Sequence, residues 1–303
     1  MTKRVFLYLL VICFSMTIIP NVIFANGSIS QKKIGVLRLK NDTSFRHFGQ
    51  TAADVLTADL VKLKSCSVVE RGELDRVFDE QRLGAQGYLD PATVSDLGGI
   101  LGLDYLLMGT VSGNVTTEKG HYDYNKKKNK DVWIKGNSKN TVSLILRLVD
   151  VKTGQIVWSD QKSITNYNDD MNASLEEAAY DSIRTIYKFI PVQGYVLKAE
   201  GRNYFIDLGT VNNIAVNDTL VVNSTSDTIL HPVTGELIVM KKNIGFLTVT
   251  EVFEKMCIAV PRLKDDGTQE LYGKVNDGDS VTRELHKKTR GFLGIGWSGK
   301  HDF

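Results

Sequence analysis

The stretch from Ser67 to Val111, SVVERGELDRVFDEQRLGAQGYLDPATVSDLGGILGLDYLLMGTV, constrains the chain most, because its punctuation spells strand, helix, loop, helix, strand. Glu73 to Leu83 sets apolar Leu74, Val77, Phe78 and Leu83 near helical spacing and leaves Glu73, Asp75, Asp79, Glu80 and Arg82 for the other side. That is the pattern of an amphipathic helix with one face on a core. Gly84 and Gly87 interrupt it, and Asp90 then supplies an N-cap acceptor ahead of Pro91, opening a second helix that runs to about Leu101 and stops at Gly102. Tyr105 to Val111 follows as a short apolar run bounded by glycine, which predicts a strand buried on both faces.

The flanking sequence extends this alternation. Lys33 to Leu39 reads as a first strand, and Gly49 to Lys64 as a helix striped by Ala52, Val55, Leu56, Leu60 and Leu63. Val142 to Val151 alternates, with Val142, Leu144, Leu146 and Leu148 on one side, and Lys152-Thr153-Gly154 turns the chain into a partner strand over Gln155 to Thr165. Ser174 is expected to cap a helix through Ile190, with Glu176 and Glu177 in its first turn, and Pro191 ends it. Beyond Pro191 the segments Val192 to Ala199, Asn203 to Leu208, Thr219 to Val222, Gly245 to Phe253 and Met256 to Val260 are short and β-rich. Val216-Asn217-Asp218-Thr219 and Val275-Asn276-Asp277-Gly278-Asp279-Ser280 suggest turns feeding equivalent strands. The expected organisation is a signal peptide over 1–25, an α/β domain of sheet and packed helices over 26–190, a small all-β barrel-like domain over 191–285, and a basic glycine-rich tail over 286–303.

Residues Val68 to Val111, with Lys33-Ile34-Gly35-Val36-Leu37, the helix beginning Phe48-Gly49-Gln50-Thr51-Ala52-Ala53-Asp54, and Leu146 to Trp158, resemble the curli production assembly/transport (CsgG) family. The ordered matches run from about Lys33 to Ile190. The resemblance implies an α/β domain of the CsgG or TolB N-terminal kind, export to the periplasm or outer membrane, and self-assembly, since the founding type forms a ring-shaped secretion pore. The second half, in Val196-Leu197-Lys198, Asn203 to Gly209 and Pro232 to Glu236, resembles the C-terminal β-barrel of the flagellar assembly protein T family.

Export is also legible without the resemblance. Lys3 and Arg4 precede an apolar stretch from Val5 to Ile19, and Ile23-Phe24-Ala25 offers a small residue for cleavage. The apolar stretch is shorter than the roughly 20 residues of a spanning helix. Cys13, preceded by Leu10-Val11-Ile12 inside the apolar core, is a poor lipidation site, so no convincing lipobox is present. The formal net charge of +2 falls to near zero once Lys3 and Arg4 are removed, which argues against electrostatic capture of nucleic acid. Cys66 and Cys257 remain, and two buried, unpaired thiols are expected.

Reactive chemistry is not legible. His47, His121, His231, His286 and His301 lie far apart without metal-ligand spacing, and Gly294-Ile295-Gly296-Trp297-Ser298-Gly299 has no strand before it and no room for a helix after it. No catalytic residue, cofactor or metal is therefore expected, and the chain reads as a non-enzyme. The excursion Ser112 to Thr141 carries seven lysines and no continuous apolar face. A lysine facing lipid at mid-membrane costs about 2–4 kcal/mol, so it makes a poor membrane-crossing hairpin. The space between Trp158 and Ser174 is too short for a second one. The expected function is an envelope assembly or secretion component that forms an oligomeric ring in the periplasm or at the outer membrane, without its own complete transmembrane barrel. Its partners are other copies and other envelope proteins. Leu74, Val77 and Phe78 are candidate interface residues, and Lys126, Lys127, Lys128 and Trp133 candidates for contact with a membrane surface. The alternative is a periplasmic binding or scaffolding module that captures a peptide or glycan on Tyr195, Tyr204 and Phe205.

Overall fold

The computed structural model describes residues 31–70, 72, 74, 99 and 101–285. The segment 1–25, most of the two signature helices and the tail 286–303 lie outside them. The first architectural unit is a sheet whose strands run β3, β1, β4, β7, β8, where β1 is Lys33–Val36, β3 Ser67–Val69, β4 Tyr105–Thr117, β7 Ser138–Asp150 and β8 Ile156–Asn166. A short β2 (Lys40–Asp42) also pairs with β4, beyond the reach of β1. The strands β1, β2 and β3 pair in parallel, whereas β4, β7 and β8 form an antiparallel meander.

Helices α1 (Phe48–Leu63) and α2 (Met171–Phe189) are joined to one face of this sheet in a continuous apolar core. The stripe Ala52, Leu56, Leu60 and Leu63 is buried as its helical period requires, and Val142, Leu144, Leu146 and Leu148 meet it from the sheet. A second, smaller cluster of Leu37, Leu74, Leu103, Leu106, Val149 and Val151 forms separately, so Leu106 and Leu107 are fully buried in different clusters.

Three expectations need correction. The strand anticipated over Tyr105 to Val111 continues to Thr117, with Gly109 and Gly113 inside it. A Cβ at Gly109 would lie 2.0 Å from the Ile145 carbonyl oxygen, so glycine there permits close approach of β7 and does not mark a boundary. Ser174 is not the cap of α2. Asp170 is: its carboxylate accepts from the Asn172 and Ala173 N–H groups at 3.0 and 3.2 Å. Ser174 is instead buried in a polar network, donating to Asn140 Oδ1 at 2.5 Å and accepting from Asn166 Nδ2 at 2.8 Å. Glu176 and Glu177 accordingly fall beyond the first turn, which contains no acid.

The second unit is a closed six-stranded barrel in the order β10, β13, β12, β11, β14, β9. Its strands are β9 (Gln193–Glu200), β10 (Asn203–Ile206), β11 (Thr219–Leu230), β12 (Leu237–Val252), β13 (Cys257–Pro261) and β14 (Ser280–Arg283), and every pairing is antiparallel. The two related phrases do feed matching strands. Asp218 accepts from the Ala215 N–H at 2.9 Å and Asp279 from the Asn276 N–H at 2.8 Å, and each is followed directly by a strand, β11 and β14, which are neighbours. The sequence reading missed the length of β11 and β12. They continue beyond the barrel wall as a two-stranded arm, Asn223 pairing with Asn243 at its base and Leu230 with Leu237 at its end.

The sheet-helix portion and the barrel belong to one unit by their contacts. Arg283, on the last barrel strand and 2% exposed, donates to the Leu63 carbonyl at 3.2 Å and the Asn213 carbonyl at 2.5 Å. It thereby satisfies an orphan carbonyl at the C-terminal end of α1. Tyr187 of α2 donates its hydroxyl to the Arg283 carbonyl at 2.6 Å, tying the same strand to the second helix.

Candidate interaction surfaces

The lysine-rich excursion forms a second, small hairpin, β5 (His121–Asn125) with β6 (Lys130–Ile134). Its turn is built by Asn125, whose side-chain oxygen accepts from the Lys127 and Lys128 N–H groups at 3.0 and 3.1 Å, and by Asn129 at a left-handed φ of 48°. Lys126, Lys127 and Lys128 are thus held at the tip and exposed. Trp133 sits opposite Tyr122 in register, their rings edge to face at 4.9 Å, and both remain more than half exposed. Gly120 and Gly136 pinch the base of the hairpin, since a Cβ on Gly136 would lie 2.0 Å from the Glu118 carbonyl oxygen. The structure therefore brings the four candidate membrane-contact residues onto one short ribbon.

Of the three interface candidates, Leu74 is 1% exposed and packed within the chain against Leu103, Leu106 and the backbone of Gly35. A side chain so enclosed has no surface to offer, so Leu74 belongs to the monomer core. Val77 and Phe78 lie outside the described residues. The three aromatics suggested as a stacking surface do not share a face: Tyr204 is buried in the core, whereas Phe205 and Tyr195 point outward from different strands. Alternation along β10 forces that split.

Sequence reasoning missed an exterior cluster on the barrel. The Arg262 guanidinium stacks 4.1 Å from the Phe246 ring and pairs with Glu270 at 2.6 Å, and Tyr272 meets Phe246 edge to face at 6.4 Å while donating to Glu270 at 3.1 Å. The Arg262 partner holds the Glu270 carboxyl below its ordinary value. These residues are far apart in sequence and become neighbours only when the Gly245 to Leu271 bridge forms, so no local pattern announces them.

Among the described residues, no group of three His, Cys, Asp or Glu side chains is arranged to hold a metal ion. Cys66 and Cys257 are separate, buried thiols, and burial pushes them up to about 11 and about 12, which keeps them protonated and inert. A cavity of about 630 Å³ beside α2 is lined by Lys162, Asp181, Arg184, Lys188 and Glu284 among others, a mixture of opposite charges. A polar groove of about 560 Å³ beside the β5–β6 hairpin is lined by residues such as Asn114, Thr116, Asn137 and Tyr167. No described helix is long and apolar enough to cross a membrane, a statement that leaves strands aside.

The architecture is a mixed parallel and antiparallel sheet covered by helices and joined to a closed barrel, with ribbons exposed on both portions. The family model for the Curli production assembly/transport component CsgG matches residues 24–179, just over half of the chain. The chain belongs to that family. Comparison with curated proteins gives no match. Among solved structures, the chain is similar to the LpoB C-terminal domain from Salmonella enterica (20% identity, 46% of this chain and 87% of that one, TM-score 0.33). It is also similar to lipoprotein GNA1162 from Neisseria meningitidis (18%, 52% and 99%, TM-score 0.33). A third likeness is to the PelC dodecamer from Paraburkholderia phytofirmans (16%, 52% and 87%, TM-score 0.30). Likenesses this distant carry nothing about activity or partners. The comparisons support the CsgG resemblance and do not show the flagellar one.

Proposed function

We propose that this protein is a non-enzymatic component of an envelope assembly or secretion apparatus, exported by its first 25 residues and working in the periplasm or against the outer membrane as a ring of copies. The family match over residues 24–179 carries this reading. In the proposal, residues 26–190 form the domain that self-associates and 191–285 a barrel fused to it, with Val77 and Phe78 at the seam between copies. Heterologous contacts of that kind close into rings.

The ring makes no complete transmembrane barrel of its own. The shortness of the excursions favours this: β5 and β6 have five residues each, against roughly 9–11 for a crossing strand, and only 167–170 separate β8 from α2. Lys126, Lys127, Lys128 and Trp133 instead touch anionic headgroups from outside, the cations at the surface and the indole at interfacial depth. Fractionation of cells expressing the full chain tests the reading. It expects the protein in the envelope with a mass lacking residues 1–25, and an unprocessed cytosolic form contradicts it. Flotation with anionic vesicles tests the hairpin separately: changing all three lysines to Ser should abolish flotation, and unchanged flotation removes the membrane contact.

A further inference from the structure

The β11–β12 arm has no role in closing the barrel. The barrel strands reach along β11 to Asn223 and along β12 to Leu247, and the segment after β13 adds bonds to Phe246 and Ile244, so among the described residues 224–242 pair only with one another. Two-stranded ribbons alone are marginally stable in water. This one is also apolar on both sides. Register puts Leu230, Leu237 and Val239 on one face and Ile229, Ile238 and Met240 on the other, with Val233 in the turn 87% exposed.

Hydrocarbon is a poor occupant, because among the described residues no strand pairs with either outer edge of the ribbon, and a backbone group left without a partner costs several kcal/mol in lipid. A protein strand satisfies such groups. The charges also select the partner: exposed Glu236 stands at the tip, whereas exposed Lys241 and Lys242 stand toward the base, where Asp227 on the opposite strand leaves a net positive charge. Two arms laid antiparallel bring the acid of each beside the bases of the other, a self-complementary arrangement.

We infer that the arm, residues 224–242, is a docking element for a second copy of this chain, the two arms pairing edge to edge and antiparallel, which satisfies the facing backbone groups and joins their apolar faces into one sheet. The inference rests on the self-association proposed above but names a contact separate from the seam in the α/β portion. Light scattering on the processed chain after size exclusion tests it with two variants. One replaces residues 224–242 by a two-residue Asn-Gly turn; the other, Leu237→Lys with Val239→Lys, changes only exposed side chains and should leave the fold intact by circular dichroism.

Both variants should show at most half the wild-type mass under identical conditions. Glu236→Lys should weaken association at least tenfold, and adding Lys241→Glu and Lys242→Glu should restore it. Variants with unchanged mass overturn the arm contact while leaving the ring reading standing. A wild-type chain that stays monomeric overturns both, and a charge swap without rescue overturns the antiparallel arrangement. Binding of wild-type but not arm-trimmed protein to vesicles, with mass unchanged, would assign the arm to lipid and overturn the inference.

Discussion

Arg283 holds the molecule together at a place where no salt bridge is found among the described residues. Its guanidinium is buried between the barrel and α1; the two terminal nitrogens donate to the backbone carbonyls of Asn213 and Leu63, while Nε finds no partner among the described residues, so replacing it by Met strands two acceptors as well as removing the cation. Arg283→Met should cost on the order of 3 kcal/mol, measured as a shift in urea midpoint, and a loss below about 1 kcal/mol would contradict the latch. Asp104 is a second anchoring residue. Burial raises its carboxyl, but the Lys33 N–H at 2.9 Å and the Lys32 ammonium at 3.2 Å outweigh this and hold it below its ordinary value. A depressed folded value means that the stabilisation is present above the unfolded pKa of about 3.9 and is lost as pH falls through the folded one. Asp104→Asn should therefore lower stability at pH 7 by about 1 kcal/mol and erase the difference from wild type near pH 2. A difference that persists in acid would assign the effect to packing.

At the level of elements, much of the architecture is legible because apolar periodicity is a local signal. The α1 stripe, the alternation of β7 and the turn at Lys152-Thr153-Gly154, where Gly154 takes a φ of 67°, all follow from neighbours in sequence. What escapes depends on partners distant in sequence. β2 forms only because β4 offers it an edge, β4 runs through two glycines because β7 must come close, and the arm continues past the barrel although its alternation has no core to face. The misplaced cap has the same cause. Ser174 satisfies the sequence rule for a cap, yet Asn140 from β7 claims its hydroxyl, leaving Asp170 to cap the helix. Asp170→Ala should cost about 1 kcal/mol in thermal or urea unfolding. Ser174→Ala should cost at least as much, because it opens a buried network; a negligible cost there would contradict the network's contribution. The candidate site was legible only in part: the hairpin of Lys126, Lys127, Lys128 and Trp133 was visible as composition, whereas Leu74 looked the same as core or interface until its surroundings were known.

For the whole molecule, the sheet, its helices and the barrel belong to one unit with exposed ribbons, and its proposed work lies in contacts between copies. Sedimentation velocity on the chain lacking residues 1–25 tests that claim most directly. Across a range of protein concentrations a ring-forming chain should give a discrete, closed oligomer whose population grows with concentration. A single monomeric boundary at every concentration, in the presence and absence of envelope extract, would contradict it.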